Sequence, residues 1–197
     1  MMNIVLFGAP GAGKGTQAML LARQFRLEHV STGDLLRKEI AAGTQWGQAV
    51  EALLARGEFA PDSMVVDMLV RYMQQHSEAA GFIFDGFPRN TAQAGALDAL
   101  LARTSQRVRC MISLDVPREE LVQRLLLRGE TSGRADDQDA GVIGHRIDVY
   151  HHKTEPVIHY YEGQQKYFPV SGTGSVEQVF ERLRAVVEQI ASHTRNG

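Results

Sequence analysis

The chain has 197 residues, 21 of them basic and 23 acidic, for a formal charge of −2. That length suits one domain with small insertions and buries a core without staples. Hydrophobic residues at 44% and charged residues at 22% argue against disorder, collagen-like repeats and disulfide scaffolds, and the near-zero charge argues against a general nucleic-acid binder.

Residues 3–7 read as a buried strand. Gly8, Pro10, Gly11 and Gly13 interrupt this apolar run early and no basic flank precedes it, so it is not a signal peptide. A helix is predicted over 17–25, with Leu20, Leu21 and Phe25 on one face. Residues 28–31 form a weak second strand. Residues 32–63 then hold two helical patterns with no strand between them, punctuated by Gly43 and Gly57. Ser31-Thr32-Gly33-Asp34 resembles a capping box that opens the first of them. Val65, Val66, Leu69 and Met73 give helical spacing over 63–75. A third strand is predicted at 81–84, followed at once by Asp85-Gly86, and a fourth at 108–116. Residues 127–137 are polar, with glycines at 129 and 133, and read as a loop.

Pro156 kinks or starts a helix whose Val157, Ile158, Tyr160 and Tyr161 belong to the core. A fifth strand at 167–170 leads into Ser171-Gly172-Thr173-Gly174 and a last amphipathic helix over 176–190. Strands alternating with helices predict an α/β fold, with a five-stranded parallel sheet covered by helices on both faces. Ligands of such sheets bind at the carboxyl ends of the strands. No apolar run reaches the length of a membrane span. The lone Cys110 allows neither an internal disulfide nor a multi-cysteine zinc site, which points to a reducing, cytoplasmic compartment. The adjacent His151 and His152 face different ways on a helix and have no third ligand at useful spacing, so they read as surface or structural.

The strongest chemical signal is Gly8-Ala9-Pro10-Gly11-Ala12-Gly13-Lys14-Gly15-Thr16 between a strand and a helix. Its glycines let successive backbone N–H groups face one concavity, the helix N-terminus adds positive potential, and Lys14 reaches the β- and γ-phosphates. The generic motif has Ser or Thr directly after the lysine, whereas Gly15 stands there and Thr16 follows. The loop alone also fits a nucleotide switch. Of the basic residues, 17 are Arg and only 4 are Lys, and arginine suits forked recognition of phosphate.

Gly-x-Pro-Gly-x-Gly-Lys-Gly-Thr resembles the form used by the nucleoside monophosphate kinases, adenylate kinases above all. Three more segments carry the resemblance in the same order: Ser31-Thr32-Gly33-Asp34-Leu35-Leu36-Arg37, Asp85-Gly86-Phe87-Pro88-Arg89 with Gln93 beyond it, and Arg134-Ala135-Asp136-Asp137 followed by Arg146. It covers essentially the whole chain. It implies a P-loop three-layer core with two small mobile inserts, an AMP-binding segment at 31–60 and a lid at 127–137. It implies magnesium-dependent transfer of the terminal phosphoryl group of ATP to AMP, giving two ADP, by a cytoplasmic monomer with no nucleic-acid or membrane partner.

By the same resemblance, ATP is held by Gly11, Ala12, Gly13, Lys14, Gly15 and Thr16, by Arg124 stacking on the adenine, by Arg128, and by Gly174 through its backbone. AMP is held by Thr32, Arg37, Glu58, Phe59, Ala60, Gly86, Phe87, Pro88, Arg89 and Gln93, with Arg134 and Arg146. Lys14, Arg89, Arg128, Arg134 and Arg146 serve the transfer. Asp85, and Thr16 beside it, would meet Mg²⁺ through water. Thr32 and Gln93 speak for AMP rather than the UMP and CMP of the sister kinases, although Asn90 also occurs in that pyrimidine group. Asp136 and Asp137 cap or latch the lid. Only Gly129-Glu130-Thr131-Ser132-Gly133 separate Arg128 from Arg134, a lid too short for zinc. Arg134 and Arg146 lie twelve residues apart, one more than the resemblance implies, which leaves His145 as the alternative at that place.

Overall fold

A computed structural model describes residues 1–195. Five strands form one parallel sheet in the order β2-β3-β1-β4-β5: β1 (Asn3–Gly8), β2 (Glu28–Ser31), β3 (Phe82–Asp85), β4 (Val108–Asp115) and β5 (Tyr167–Ser171). In β1, Ile4, Val5 and Leu6 are all buried. Successive strand side chains point to opposite faces, so both faces of the sheet are covered. Cys110 is paired in register with Ile4 in the sheet interior and is fully buried.

Helices α1 (Lys14–Phe25) and α9 (Val176–Arg195) pack on each other and on the sheet. Helices α4 (Asp62–Gln75), α5 (Thr91–Ala102) and α8 (Val157–Glu162) make a second group through α4–α5 and α5–α8 contacts. The order of alternation matches the sequence expectation, with boundary shifts that have local causes. Helix α1 starts at Lys14 rather than 17, because Gly13 turns left-handed (φ 91°) and releases the chain directly into the helix. Strand β3 takes in Asp85, which pairs in register with Leu6 and Ser31.

The two regions outside plain alternation lie over the sheet's carboxyl edge. Residues 32–63 supply α2 (Thr32–Ala41), α3 (Gln45–Ala55) and the start of α4. Ser31 caps α2 by accepting from the Asp34 N–H at 3.3 Å, as the capping-box reading requires. The region 127–137 is not all loop. Helix α6 (Arg118–Ser132) runs through its first half, and a 3₁₀ turn, Ala135–Asp137, precedes α7 (Ala140–Val149). The helix carries Gly129 because a Cβ there would strike the Asp137 carbonyl, so the turn can lie flat on the helix. Beyond α7 the backbone widens into a π-helical turn, Tyr150–Thr154, and Pro156 stands at the start of α8. Among the described residues no helix is long and apolar enough to cross a membrane.

Candidate active site

A cleft of about 990 Å³ opens over the carboxyl ends of the strands. Its floor is the loop from β1 to α1. Gly8, Gly11 and Gly13 have φ of 137°, 85° and 91°, a region L side chains rarely adopt. At Gly11 a Cβ would also sit 2.9 Å from the Leu121 carbonyl. The first helical bond joins Gln17 N–H to the Gly13 carbonyl, no side chain caps α1 and its first turn holds no acid. The amides at its start therefore face the cleft as an anion site. Lys14 folds back over the loop, donating to the Gly8 and Ala9 carbonyls at 2.8 and 2.9 Å. Burial pushes its ammonium down to about 8; Asp85 opposes this, while Arg89, Arg128 and Arg146 add to it.

All six expected arginines line this cleft. Arg89, just beyond β3, donates through Nε to the Gly86 carbonyl at 2.8 Å and lies over the Phe59 ring, 4.7 Å from its centroid. Burial, reinforced by Arg146, pushes it down to about 10. Arg37 pairs with Asp34 at 2.5 Å, and Arg134 reaches the same carboxylate oxygen at 3.4 Å. Burial would raise the Asp34 carboxyl, but the Arg37 hydrogen bond and charge hold it below the usual range. Arg128 grips the buried Asp137 with two hydrogen bonds, at 2.6 and 3.0 Å, and Arg146 binds Asp137 and Asp136. Arg124 binds Glu120 and donates to the Gly172 carbonyl at 3.0 Å, tying α6 to the loop after β5. His145 is exposed, whereas Arg146 is in the cleft. Of the two sequence alternatives at that place, the arginine is the one that lines the cleft. Gly57 is the near neighbour of Arg146: a Cβ on Gly57 would collide with the Arg146 side chain. Segments 31–60 and 127–137 thus meet across the cleft mouth.

The glycine-loop residues Gly11 to Thr16 line the cleft, as do Glu58, Phe59, Gly86, Phe87, Pro88 and Gly174. Three expected residues do not. Thr32, Ala60 and Gln93 line a narrow side crevice together with Leu36, Leu54, Phe59, Val65, Gly86 and Arg89. Thr32 donates to the Gly86 carbonyl at 2.9 Å, which pins the β2–α2 junction to the end of β3. Gln93 is buried and held at both ends of its amide. Glu58 stands at the rim, exposed and paired with Arg56 at 2.8 Å.

Asp85 and Thr16 both face the cleft. The Asp85 carboxylate is 3.4 Å from His29 Nε2 and 3.6 Å from where a Cβ on Gly15 would be, an ordinary contact distance. One carboxylate and one hydroxyl lining the same cleft suit a cation that retains most of its water. Among the described residues no group of three or more His, Cys, Asp or Glu is placed to hold a metal ion on its own. Sequence reasoning missed His29, Gln17, Tyr150 and Thr154 as lining residues. Of these only Gln17 had a signal, its place one turn beyond the glycine loop; it is buried and donates to the Val176 carbonyl at 2.9 Å.

The sequence model described as adenylate kinase matches residues 6–166. An adenylate kinase of Phocaeicola vulgatus is 45% identical over 190 residues, which is 96% of this chain and all of the relative. Those of Flavobacterium psychrophilum and Porphyromonas gingivalis are 44% and 41% identical, covering 96% of this chain and 100% and 97% of theirs. The family model over residues 6–166 and this likeness along nearly the whole chain place the protein in the adenylate kinase family.

Proposed function

We propose that the cleft seats ATP on the glycine loop and AMP between segment 31–60 and the β3–α5 connection, in line for direct transfer. The family's reaction moves the terminal phosphoryl group of ATP to AMP. An oxygen of the AMP phosphate forms the new P–O bond, the bond to the departing ADP breaks, and two ADP result. Both reactants are polyanions, so the work is alignment and charge stabilisation. One observation carries the reading: Lys14 and the six arginines at 37, 89, 124, 128, 134 and 146 line one cleft over the carboxyl ends of the strands. Cations gathered in one cleft repel one another, and that repulsion is relieved when negative charge arrives.

In this reading Lys14 leaves the Gly8 and Ala9 carbonyls for the transferring phosphate. Arg37 and Arg89 hold the acceptor, while Arg128, Arg134 and Arg146 surround the group in transit. Arg124 lies along the donor adenine, whose edge meets the backbone at Gly174. Mg²⁺ bound to the nucleotide would neutralise phosphate charge, with Asp85 and Thr16 holding its waters. Segments 31–60 and 127–137 open to admit nucleotides and close to exclude water, which would otherwise take the phosphoryl group. We read the protein as a cytoplasmic monomer serving ADP synthesis and adenine-nucleotide balance. The lone buried Cys110 supports a reducing compartment, and two swinging segments need free space.

A coupled assay of ADP formation from Mg·ATP with AMP, CMP, UMP or GMP tests this. AMP should be the best acceptor. A preference for CMP would move the chain to the pyrimidine kinases, and titration showing ATP binding with no acceptor binding and no ADP would make it a nucleotide switch.

A further inference from the structure

Gln93 is about 97% buried, and every partner of its amide group fixes which end is which. Its Oε1 accepts from the Arg89 N–H at 2.7 Å, and its Nε2 donates to Asp62 Oδ1 at 2.6 Å. A backbone N–H can only donate and an ionised carboxylate can only accept. Turning the amide over would set NH₂ against N–H and oxygen against carboxylate, two repulsive contacts in place of two hydrogen bonds. The other oxygen of Asp62 takes the Asn90 Nδ2 at 2.9 Å. Asn90 is itself fixed, because its Oδ1 caps α5 by accepting from the Gln93 N–H at 2.8 Å. Two amide donors therefore converge on one side chain, and only an acceptor on both oxygens satisfies both.

After these bonds Gln93 keeps one acceptor position on Oε1 and one hydrogen on Nε2. An acceptor and a donor on one amide match an exocyclic amine next to an unprotonated ring nitrogen, which is what adenine presents. Hypoxanthine, with a 6-oxo group, presents an acceptor there instead and meets the locked amide with like against like. We propose that Asp62, at the first turn of α4, is the positioning residue that sets base selectivity: it fixes the orientation of Gln93 and so favours 6-amino over 6-oxo purine monophosphates. This rests on the reading that places the AMP base in the crevice beside Gln93. Asp62 itself is exposed, so it acts from the solvent side on a buried amide.

The test compares AMP with IMP as acceptor, as a ratio of kcat/KM, with enough enzyme to measure the slower one. A ratio cancels any loss of folded protein. Asp62→Asn keeps the shape but can offer Gln93 either an oxygen or an NH₂. Asp62→Ala removes the group. Each should lower the AMP-to-IMP ratio about fivefold or more, the scale of one hydrogen bond, and neither should lower it further in a Gln93→Ala background. An unchanged ratio with a general fall in activity would overturn the proposal and leave Asp62 a merely structural contact. An equal effect with and without Gln93 would overturn it too. If Gln93→Ala alone leaves the ratio unchanged, the base placement itself is wrong and the role of Asp62 goes with it. Absence of any ADP from AMP in the unaltered protein would instead refute the kinase reading.

Discussion

Arg89 shows how one residue is built for one purpose. Its Nε is spent on the Gly86 carbonyl, its plane lies over Phe59, and its own N–H fixes Gln93. What remains is the outer fork of the guanidinium, directed at the cleft and already depressed by burial. Arg89→Ala should lower kcat/KM for AMP by about two to three orders of magnitude, the range seen when a buried charge-stabilising donor is removed. The ATP dissociation constant should stay within about threefold, because Arg89 is not part of the glycine loop; equal loss of both nucleotides, read by titration calorimetry, would contradict the assignment. Arg89→Lys should not rescue, since an ammonium cannot both stack on Phe59 and present a fork.

At the scale of elements, the joint between α6, the 3₁₀ turn and α7 rests on Asp137. Burial alone would raise its carboxyl; hydrogen bonds and charge from Arg128 and Arg146 hold it below its usual 3.8. A carboxyl depressed by folding adds stability above its unfolded value, and that share is lost as pH falls through the folded value. Asp137→Asn should therefore cost about 2 kcal/mol, with a gap to the unaltered protein that is constant above about pH 5 and closes below 3.8. Denaturant unfolding across that pH range measures it. This joint was only partly legible in the sequence, which offered Asp136 and Asp137 as a cap or latch but not the helix that runs into it. Polar residues with two glycines read as loop, and only the turn lying on Gly129 explains why the helix continues. The strands and their order of alternation were legible, because buried parallel strands leave short, nearly continuous apolar runs. The arginines were found through the motifs that carry them. Asp34, the partner of Arg37 and Arg134, and Asp62, the partner of Gln93 and Asn90, were not, because an aspartate in a helix's first turn reads as a solvated charge until tertiary neighbours are known.

For the whole molecule, the cleft draws on pieces from one end of the chain to the other, all gathered at the carboxyl edge of the sheet. The formal charge of −2 is a poor guide to that edge, where Lys14 and six arginines converge and acids outside the cleft balance the sum. Long-range charge thus concentrates where the proposed site would take its phosphates. The Asp34–Arg134 contact joins the two segments across the mouth; if they move as proposed, a nucleotide that orders one lowers the cost of ordering the other.

Cys110 gives nucleotide binding a readout. Its thiol is pushed up to about 12 by burial and sits where β4 pairs with β1, so no partial swing of the outer segments uncovers it. Labelling with a disulfide reagent should be slow, single-site and limited by opening of the sheet itself. A nucleotide at a hundred times its dissociation constant should slow it by about a hundredfold. Labelling that ignores nucleotide would mean the thiol is reached through a local breach. With one sulfhydryl in the chain, a simple colour reaction becomes a clock for global unfolding, and ligands can be ranked by how far they slow it.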